Sequence, residues 1–125
     1  MATNKILVVE DDLNQRTLYE EELGDEGYRI LTASDGREAI KVVQEEKPDL
    51  VVLDINMPVM DGLDTLSKML EYNSKMPVII NTAYASYQEN FTSWSADAYI
   101  VKSGDLSELK ATVRRLLADR ATPAA

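Results

Sequence analysis

Short apolar segments alternate with longer amphipathic or polar segments along the whole chain, five of each. The apolar segments cover residues 6–9, 29–33, 50–53, 78–81 and 98–101. The first and third are continuously apolar, which is typical of central strands buried on both faces. Strands that alternate with helices predict an α/β fold, in which a doubly wound five-stranded parallel sheet is covered by helices on both faces.

Three of the predicted helices begin at an aspartate that is followed, three residues later, by glutamine or glutamate. This is the spacing of a helix-capping pair. The pairs are Asp12 with Gln15, Asp35 with Glu38, and Asp105 with Glu108. In the last predicted helix, apolar residues recur at helical spacing, so one face should lie on the sheet. They are Leu106, Leu109, Val113, Leu116 and Leu117.

Length and composition limit the classes of function. A chain of 125 residues fits one domain, which we expect over residues 1–120, with 121–125 as a disordered tail or the stub of a linker. The net charge of −9 disfavours direct binding to nucleic acid or to an anionic membrane. The longest apolar runs are too short to span a membrane, and the absence of cysteine excludes disulfides and a thiol nucleophile. The charge-rich composition without a hydrophobic leader is typical of a cytoplasmic protein.

The chain also has no histidine, which excludes the usual catalytic triads and nitrogen ligands of zinc. Any chemistry must therefore use carboxylates, hydroxyls and lysine. This set favours a hard cation that binds oxygen, such as Mg²⁺.

Polar residues follow the predicted strands at the edge where ligands bind in doubly wound sheets. They are Glu10, Asp11 and Asp12 after the first strand, Asp54 and Asn56 after the third, Thr82 after the fourth and Lys102 after the fifth. Converging carboxylates repel one another unless a cation offsets the repulsion, and Mg²⁺ together with Lys102 would do so. Asp12 is better explained as a helix cap, and Thr82 is equally compatible with a plain strand residue.

This set of residues suits phosphoryl transfer, with the Asp54 carboxylate as the nucleophile that forms an aspartyl phosphate. The metal would bridge Asp54 and a phosphoryl oxygen. Lys102 would meet a second oxygen and the Thr82 hydroxyl a third.

Four segments carry a family resemblance: ILVVEDD at 6–12, LVVLDINMPVMDG at 50–62, NTA at 81–83 and DAYIVKS at 97–103. Together they resemble the receiver domain of two-component response regulators, over roughly residues 4–118. The resemblance implies the (βα)5, flavodoxin-like fold of the chemotaxis regulators, with strand order 2-1-3-4-5. It also implies a signalling switch rather than an enzyme that acts on external substrates.

The resemblance assigns roles to the residues at the strand ends. Asp54 would be the phosphoacceptor, and the phosphodonor would be a phosphohistidine of a sensor histidine kinase. Glu10 and Asp11 would be the acidic pair of the Mg²⁺ site, with Asp54 and the backbone carbonyl of Asn56 as further ligands. The switch residues would be Thr82, Lys102 and Tyr99. Asn56 and Tyr84 would tune the lifetime of the phosphoryl group, which we expect Tyr84 to shield.

Two positions depart from the family pattern. Ser103 follows Lys102 where receivers usually have proline after a cis bond, and a cis bond before a non-proline residue costs about 2.5–4 kcal/mol. Ser95 stands before Ala96 where glycine is more common, so the turn there is expected to change.

Tyr87, Phe91 and Trp94 recur at helical spacing and predict an aromatic stripe on the fourth helix. We expect Phe91 to lie in the core and Trp94 to be partly exposed to a partner. In receivers that resemble this chain, the surface of the fourth helix, fifth strand and fifth helix presents the output. Tyr99 would lie on this surface and turn inward on phosphorylation. The output partner is unknown, and the chain is expected to be a monomer or a phosphorylation-dependent dimer.

Two other functions remain open. One is a Mg²⁺-dependent phosphohydrolase with an aspartyl-phosphate intermediate, although such enzymes generally need an acid two residues after the nucleophile, where this chain has Asn56. The other is a receiver-like interaction module that is independent of phosphorylation.

Overall fold

The computed structural model describes residues 3–55, 59–83 and 95–121. The strands are β1 (Lys5–Val9), β2 (Arg29–Ala33), β3 (Leu50–Leu53), β4 (Val78–Thr82) and β5 (Ala98–Val101). The helices are α1 (Leu13–Gly24), α2 (Gly36–Glu46), α3 (Val59–Tyr72) and α4 (Ser107–Ala121). Here α4 is the fifth helix of the sequence prediction. The predicted fourth helix, with Tyr87, Phe91 and Trp94, lies outside the described residues.

All five strands are parallel and follow the order β2-β1-β3-β4-β5. The predicted strand order and doubly wound fold are therefore confirmed. The continuously apolar β1 and β3 are interior strands, as expected from their burial on both faces. No helix within the described ranges is long and apolar enough to cross a membrane.

Two hydrophobic clusters, one on each face of the sheet, form the core. One joins the sheet to α2 and α3 and includes Leu7, Val9, Val51, Leu53, Ile80, Val43, Leu66 and Met69. The other joins it to α1 and α4 and includes Ile6, Val8, Val52, Ile79, Tyr19, Leu23, Leu109 and Val113. Because strand side chains alternate between faces, Glu10, Asp54 and Lys102 continue the α1 and α4 face beyond the strand ends.

The helix caps agree with the sequence prediction at two of three starts. Asp12 accepts a hydrogen bond from the backbone N–H of Gln15, and Asp35 accepts one from that of Glu38. The prediction for Asp105 is wrong, because α4 begins only at Ser107. The Asp105 carboxylate instead accepts hydrogen bonds from the N–H and hydroxyl of Ser107 at 2.9 and 2.6 Å, an Asx-type turn.

Both departures from the family pattern have a defined backbone conformation. Ser95 has φ = 66°, which is the left-handed conformation that glycine favours. The turn before β5 therefore adopts this conformation although it has serine in place of glycine. The Lys102–Ser103 bond is trans, as is every peptide bond in the described segments. Helix α4 continues through Ala121, one residue into the segment expected to be a tail.

Candidate functional site

Two buried carboxylates, those of Glu10 and Asp54, meet the partly buried Lys102 ammonium at the carboxyl edge of the sheet. The Lys102 Nζ lies 2.6 Å from Glu10 Oε1 and 2.8 Å from Asp54 Oδ2. Glu10 is 2% exposed and Asp54 4% exposed, so the ammonium bridges two carboxylates that are nearly shielded from water. Ion pairs in such a setting are strongly coupled, because water screens them little.

The sheet backbone holds these residues in place. The N–H of Glu10 donates to the carbonyl of Ala33, and that of Asp54 donates to the carbonyl of Val9, both at 3.0 Å. The N–H of Lys102 donates to the Thr82 carbonyl at 2.7 Å. The backbone hydrogen bonds of the sheet thus continue one residue beyond β1, β3 and β5. They fix the backbone positions from which the Glu10, Asp54 and Lys102 side chains project.

Helix α1 holds Glu10 from its other side. The N–H of Asp12 donates to Glu10 Oε2 at 3.3 Å, and Arg16 Nη1 donates to the Glu10 carbonyl at 2.9 Å. One Glu10 carboxylate oxygen therefore faces the helix start and the other faces Lys102. This arrangement connects the first turns of α1 to the charged cluster.

The environment shifts the protonation equilibria of this cluster. Burial raises the pKa of Glu10 above its usual value, and Asp54 adds to the effect, while Lys102 partly offsets it. Burial alone would lower the pKa of Lys102, but the hydrogen bonds to Asp54 and Glu10 outweigh it and raise that pKa. Lys102 therefore remains cationic at neutral pH and provides charge neutralisation rather than general-base chemistry.

Glu10, Asp11 and Asp54 form a potential cation site. Each offers a carboxylate oxygen, and these atoms all lie within 4.8 Å of one another. Asp11 is exposed, so the cluster is open to solvent on one side. Several hard oxygen donors with access for water fit Mg²⁺, which takes few protein carboxylates and completes its octahedron with other oxygens.

The remaining predicted site residues differ in their placement. Thr82 is fully buried at the end of β4. Tyr99 was expected on the surface but is only 8% exposed and packs into the α2 and α3 cluster. Its side chain is thus already inward in this structure, because its position on β5 faces the same side as Ile80. Asn56 and Tyr84 lie outside the described residues.

Two buried polar residues near the cluster received no role from the sequence. Tyr19 on α1 is 4% exposed and Asn81 on β4 is 3% exposed. Burial raises the pKa of Tyr19. A signal was present in the sequence, since an asparagine in a strand that is otherwise apolar requires a buried partner.

Comparison with known proteins identifies the family. Residues 6–114 match the response regulator receiver domain. The transcriptional regulatory protein PrrA of Mycobacterium tuberculosis is 37% identical over 126 residues, which cover 99% of this chain and 54% of PrrA. The chain thus spans about half the length of that relative.

Solved structures agree with this match. The response regulator protein TrrA of Thermotoga maritima, in complex with Mg²⁺-BeF, is 43% identical with a TM-score of 0.84, over 91% of this chain and 99% of TrrA. TrrA in complex with the histidine kinase ThkA has a TM-score of 0.82, over 92% of this chain and 99% of TrrA. With the family match, the strand order and the acidic cluster in agreement, the chain belongs to the response regulator receiver domains of two-component systems.

Proposed function

We propose that Asp54 accepts a phosphoryl group from a phosphohistidine of a sensor histidine kinase, in a reaction that requires Mg²⁺. The observation that carries the proposal is the buried Asp54 carboxylate, 2.8 Å from the Lys102 ammonium and beside Glu10 and Asp11. The complexes of TrrA with Mg²⁺-BeF and with ThkA support it.

In the proposed reaction an oxygen of Asp54 attacks phosphorus while the bond from phosphorus to the donor nitrogen breaks. The departing imidazole keeps the electron pair of that bond and takes its proton from solvent. Lys102 would neutralise negative charge at the reacting centre, and the Thr82 hydroxyl would donate to a phosphoryl oxygen. Such transfer depends mainly on positioning and electrostatic stabilisation, which these fixed side chains can provide.

The proposed ligands of Mg²⁺ are Glu10, Asp11 and Asp54, with the Asn56 carbonyl that the family resemblance adds. When bound, the cation would neutralise charge on the carboxylates and on the incoming phosphoryl group. The exposed Asp11 leaves this side of the site open to solvent and to a donor. Glu10 is buried, and its ion pair with Lys102 is largely shielded from solvent.

The same residues would support slow loss of the phosphoryl group by hydrolysis, in which water replaces the Asp54 oxygen on phosphorus. Asn56 and Tyr84 are the proposed tuning residues for that lifetime. The chain then acts as a signalling module that modifies itself, and turnover of external phosphate esters is not part of the proposal.

The proposed output is a change in the surface of β5 and α4, together with the predicted fourth helix that lies outside the described residues. Phosphorylation adds about −1.5 to −2 charge, which would draw Thr82 and Lys102 toward the phosphoryl group. The Tyr99 side chain points inward in this structure, and its packing against the cluster of α2 and α3 would change when Thr82 and Lys102 move. The output partner is another protein or domain, since relatives such as PrrA are transcriptional regulators of about twice this length. The proposed oligomeric state is a monomer or a dimer that forms on phosphorylation.

The first experiment is intact-mass spectrometry after incubation with Mg²⁺ and acetyl phosphate. The wild-type protein should gain one phosphoryl group, and Asp54→Asn should gain none. Asp64→Asn is a matched control, because Asp64 is exposed on α3 and pairs only with Lys68 among the contacts of the described residues. It should be phosphorylated like wild type.

Two results would contradict the proposal. One is phosphorylation of Asp54→Asn to the wild-type extent. The other is continuous hydrolysis of p-nitrophenyl phosphate with no adduct on the protein, which would support the phosphohydrolase.

A further inference from the structure

The segment between β5 and α4 contains two consecutive turns that are closed by side chains. The Ser103 hydroxyl accepts a hydrogen bond from the Asp105 N–H at 3.3 Å and donates one to the Asp105 carbonyl at 2.8 Å. The Asp105 carboxylate in turn accepts hydrogen bonds from the N–H and the hydroxyl of Ser107, at 2.9 and 2.6 Å. Serine and aspartate side chains that bond the backbone two residues later stabilise turns of this kind.

These two side chains provide the hydrogen bonds of the segment. Among the described residues, every hydrogen bond found within 103–105 involves the Ser103 hydroxyl or the Asp105 carboxylate. Gly104 lies between them, and a Cβ added there would meet nothing within 4 Å. Because a glycine in open space is not restrained by packing, the conformation of the segment depends on Ser103 and Asp105.

The segment directly follows the lysine of the charged cluster. The Lys102 N–H donates to the Thr82 carbonyl at 2.7 Å, and the Lys102 ammonium contacts Glu10 and Asp54 at 2.6 and 2.8 Å. A residue has only two soft backbone dihedral angles, and the second, ψ, orients the peptide that follows. The sheet therefore fixes Lys102 on its N–H side, while the turn of Ser103 restrains it on its carbonyl side.

Helix α4 provides the fixed point at the other end of the segment. Its apolar face lies in the core cluster that it shares with α1 and the sheet, and Lys110 pairs with Glu22 of α1 at 3.0 Å. The Asp105 carboxylate is bonded to the first residue of this helix. The Ser103 hydroxyl then connects Asp105 to the residue next to Lys102. Loss of this hydroxyl would uncouple Lys102 from the start of α4.

We propose that Ser103 is a positioning residue for the phosphorylation of Asp54. Its hydroxyl holds the peptide after Lys102 in a fixed orientation relative to α4, and this keeps the ammonium between the carboxylates of Glu10 and Asp54. The inference rests on the proposed function of Asp54. In this role Ser103 touches neither the phosphodonor nor the phosphoryl group and acts through Lys102.

The test compares three variants with wild type in the rate of phosphorylation by acetyl phosphate and Mg²⁺, at saturating donor. Ser103→Ala removes the hydroxyl and should slow phosphorylation about two- to tenfold, which corresponds to one lost hydrogen bond. Ser103→Thr keeps the hydroxyl and should react at the wild-type rate, since Ser103 is exposed and the added methyl group has room. Gly104→Ala is the control within the same turn. It removes no hydrogen bond and should also react at the wild-type rate.

The ¹⁵N resonance of the Lys102 ammonium in the unphosphorylated protein reports its position without any phosphoryl transfer. It should shift in Ser103→Ala and keep its wild-type position in Ser103→Thr and Gly104→Ala. The melting temperature of Ser103→Ala should change little, because both hydrogen bonds of the hydroxyl are exposed to solvent. A slower reaction and a shifted resonance at nearly unchanged stability are expected of a positioning residue, not of one that only stabilises the fold.

Two results would overturn the inference alone. One is a Ser103→Ala protein that reacts at the wild-type rate. The other is a slow Ser103→Ala protein with an unshifted resonance, because the hydroxyl would then not act through Lys102. A wild-type protein that takes up no phosphoryl group would overturn the proposed function of Asp54 and this inference with it.

Discussion

Replacement of Lys102 by methionine keeps the apolar stem of the side chain and removes the ammonium between two carboxylates. Glu10 and Asp54 would remain 2% and 4% exposed, without the contacts at 2.6 and 2.8 Å that neutralise them. Removal of one partner from a buried ion pair typically costs about 3–5 kcal/mol, because the remaining charge is left uncompensated. The exposed Asp11 side admits water, so we expect a loss of about 3 kcal/mol in the free energy of unfolding at pH 7 without divalent cations.

The loss in the free energy of unfolding caused by Lys102→Met should become smaller as the pH falls. Burial and Asp54 already raise the pKa of Glu10, and Lys102 is the group that lowers it, so Lys102→Met raises it further. A carboxyl group whose pKa is raised by folding destabilises the folded state at pH values above the ordinary pKa of the group, which is 4.5 for Glu10. Below that value the group is protonated in both states and the penalty disappears. The difference from wild type should therefore shrink as pH falls from 7 towards 4.5.

The assay is urea denaturation followed by circular dichroism, at several pH values, with EDTA or with excess Mg²⁺. Mg²⁺ should recover part of the loss, because it binds the folded carboxylate cluster. Lys110→Met is the matched control. It removes a cation from the half-exposed pair with Glu22, which should destabilise the fold much less than Lys102→Met, because water screens exposed ion pairs. Equal losses for the two variants, or a Lys102→Met loss that does not change between pH 7 and 5, would refute the reasoning.

Three further predictions concern other parts of the chain. Gly36→Ala should destabilise the fold by about 1–3 kcal/mol in urea denaturation, because the added Cβ would collide with the Thr65 hydroxyl, whereas Gly104→Ala, in open space, should have little effect. Ser95→Gly should raise the free energy of unfolding by about 1 kcal/mol by relieving the left-handed backbone, and a loss of stability would contradict this. Asp11→Asn should weaken Mg²⁺ binding in isothermal titration calorimetry while the melting temperature changes little, since Asp11 is exposed. Unchanged Mg²⁺ affinity would exclude it from the cation site.

The five strands, and the bounds of three of them, could be predicted from the hydrophobic pattern, while β1 and β4 each extend one residue beyond the predicted segments. Strands 29–33, 50–53 and 98–101 begin and end where the hydrophobic pattern predicted. Side-chain alternation and burial act over a few neighbouring residues, so a local pattern is sufficient to reveal them. The caps at Asp12 and Asp35 were readable for the same reason, since each joins groups only three residues apart. Because Glu10, Asp54 and Lys102 each follow a predicted strand, the sequence also predicted that they lie close together at the edge of the sheet.

Contacts between distant segments were decided only by the tertiary structure. The Lys102 ammonium meets Glu10 across 92 residues and Asp54 across 48, and the sequence left open which carboxylates it would contact. The inward side chain of Tyr99 depends likewise on how the helices pack against the sheet. A periodic pattern shows that a residue is buried, but its partner is set by the positions of whole elements, and these are fixed only when the core is assembled.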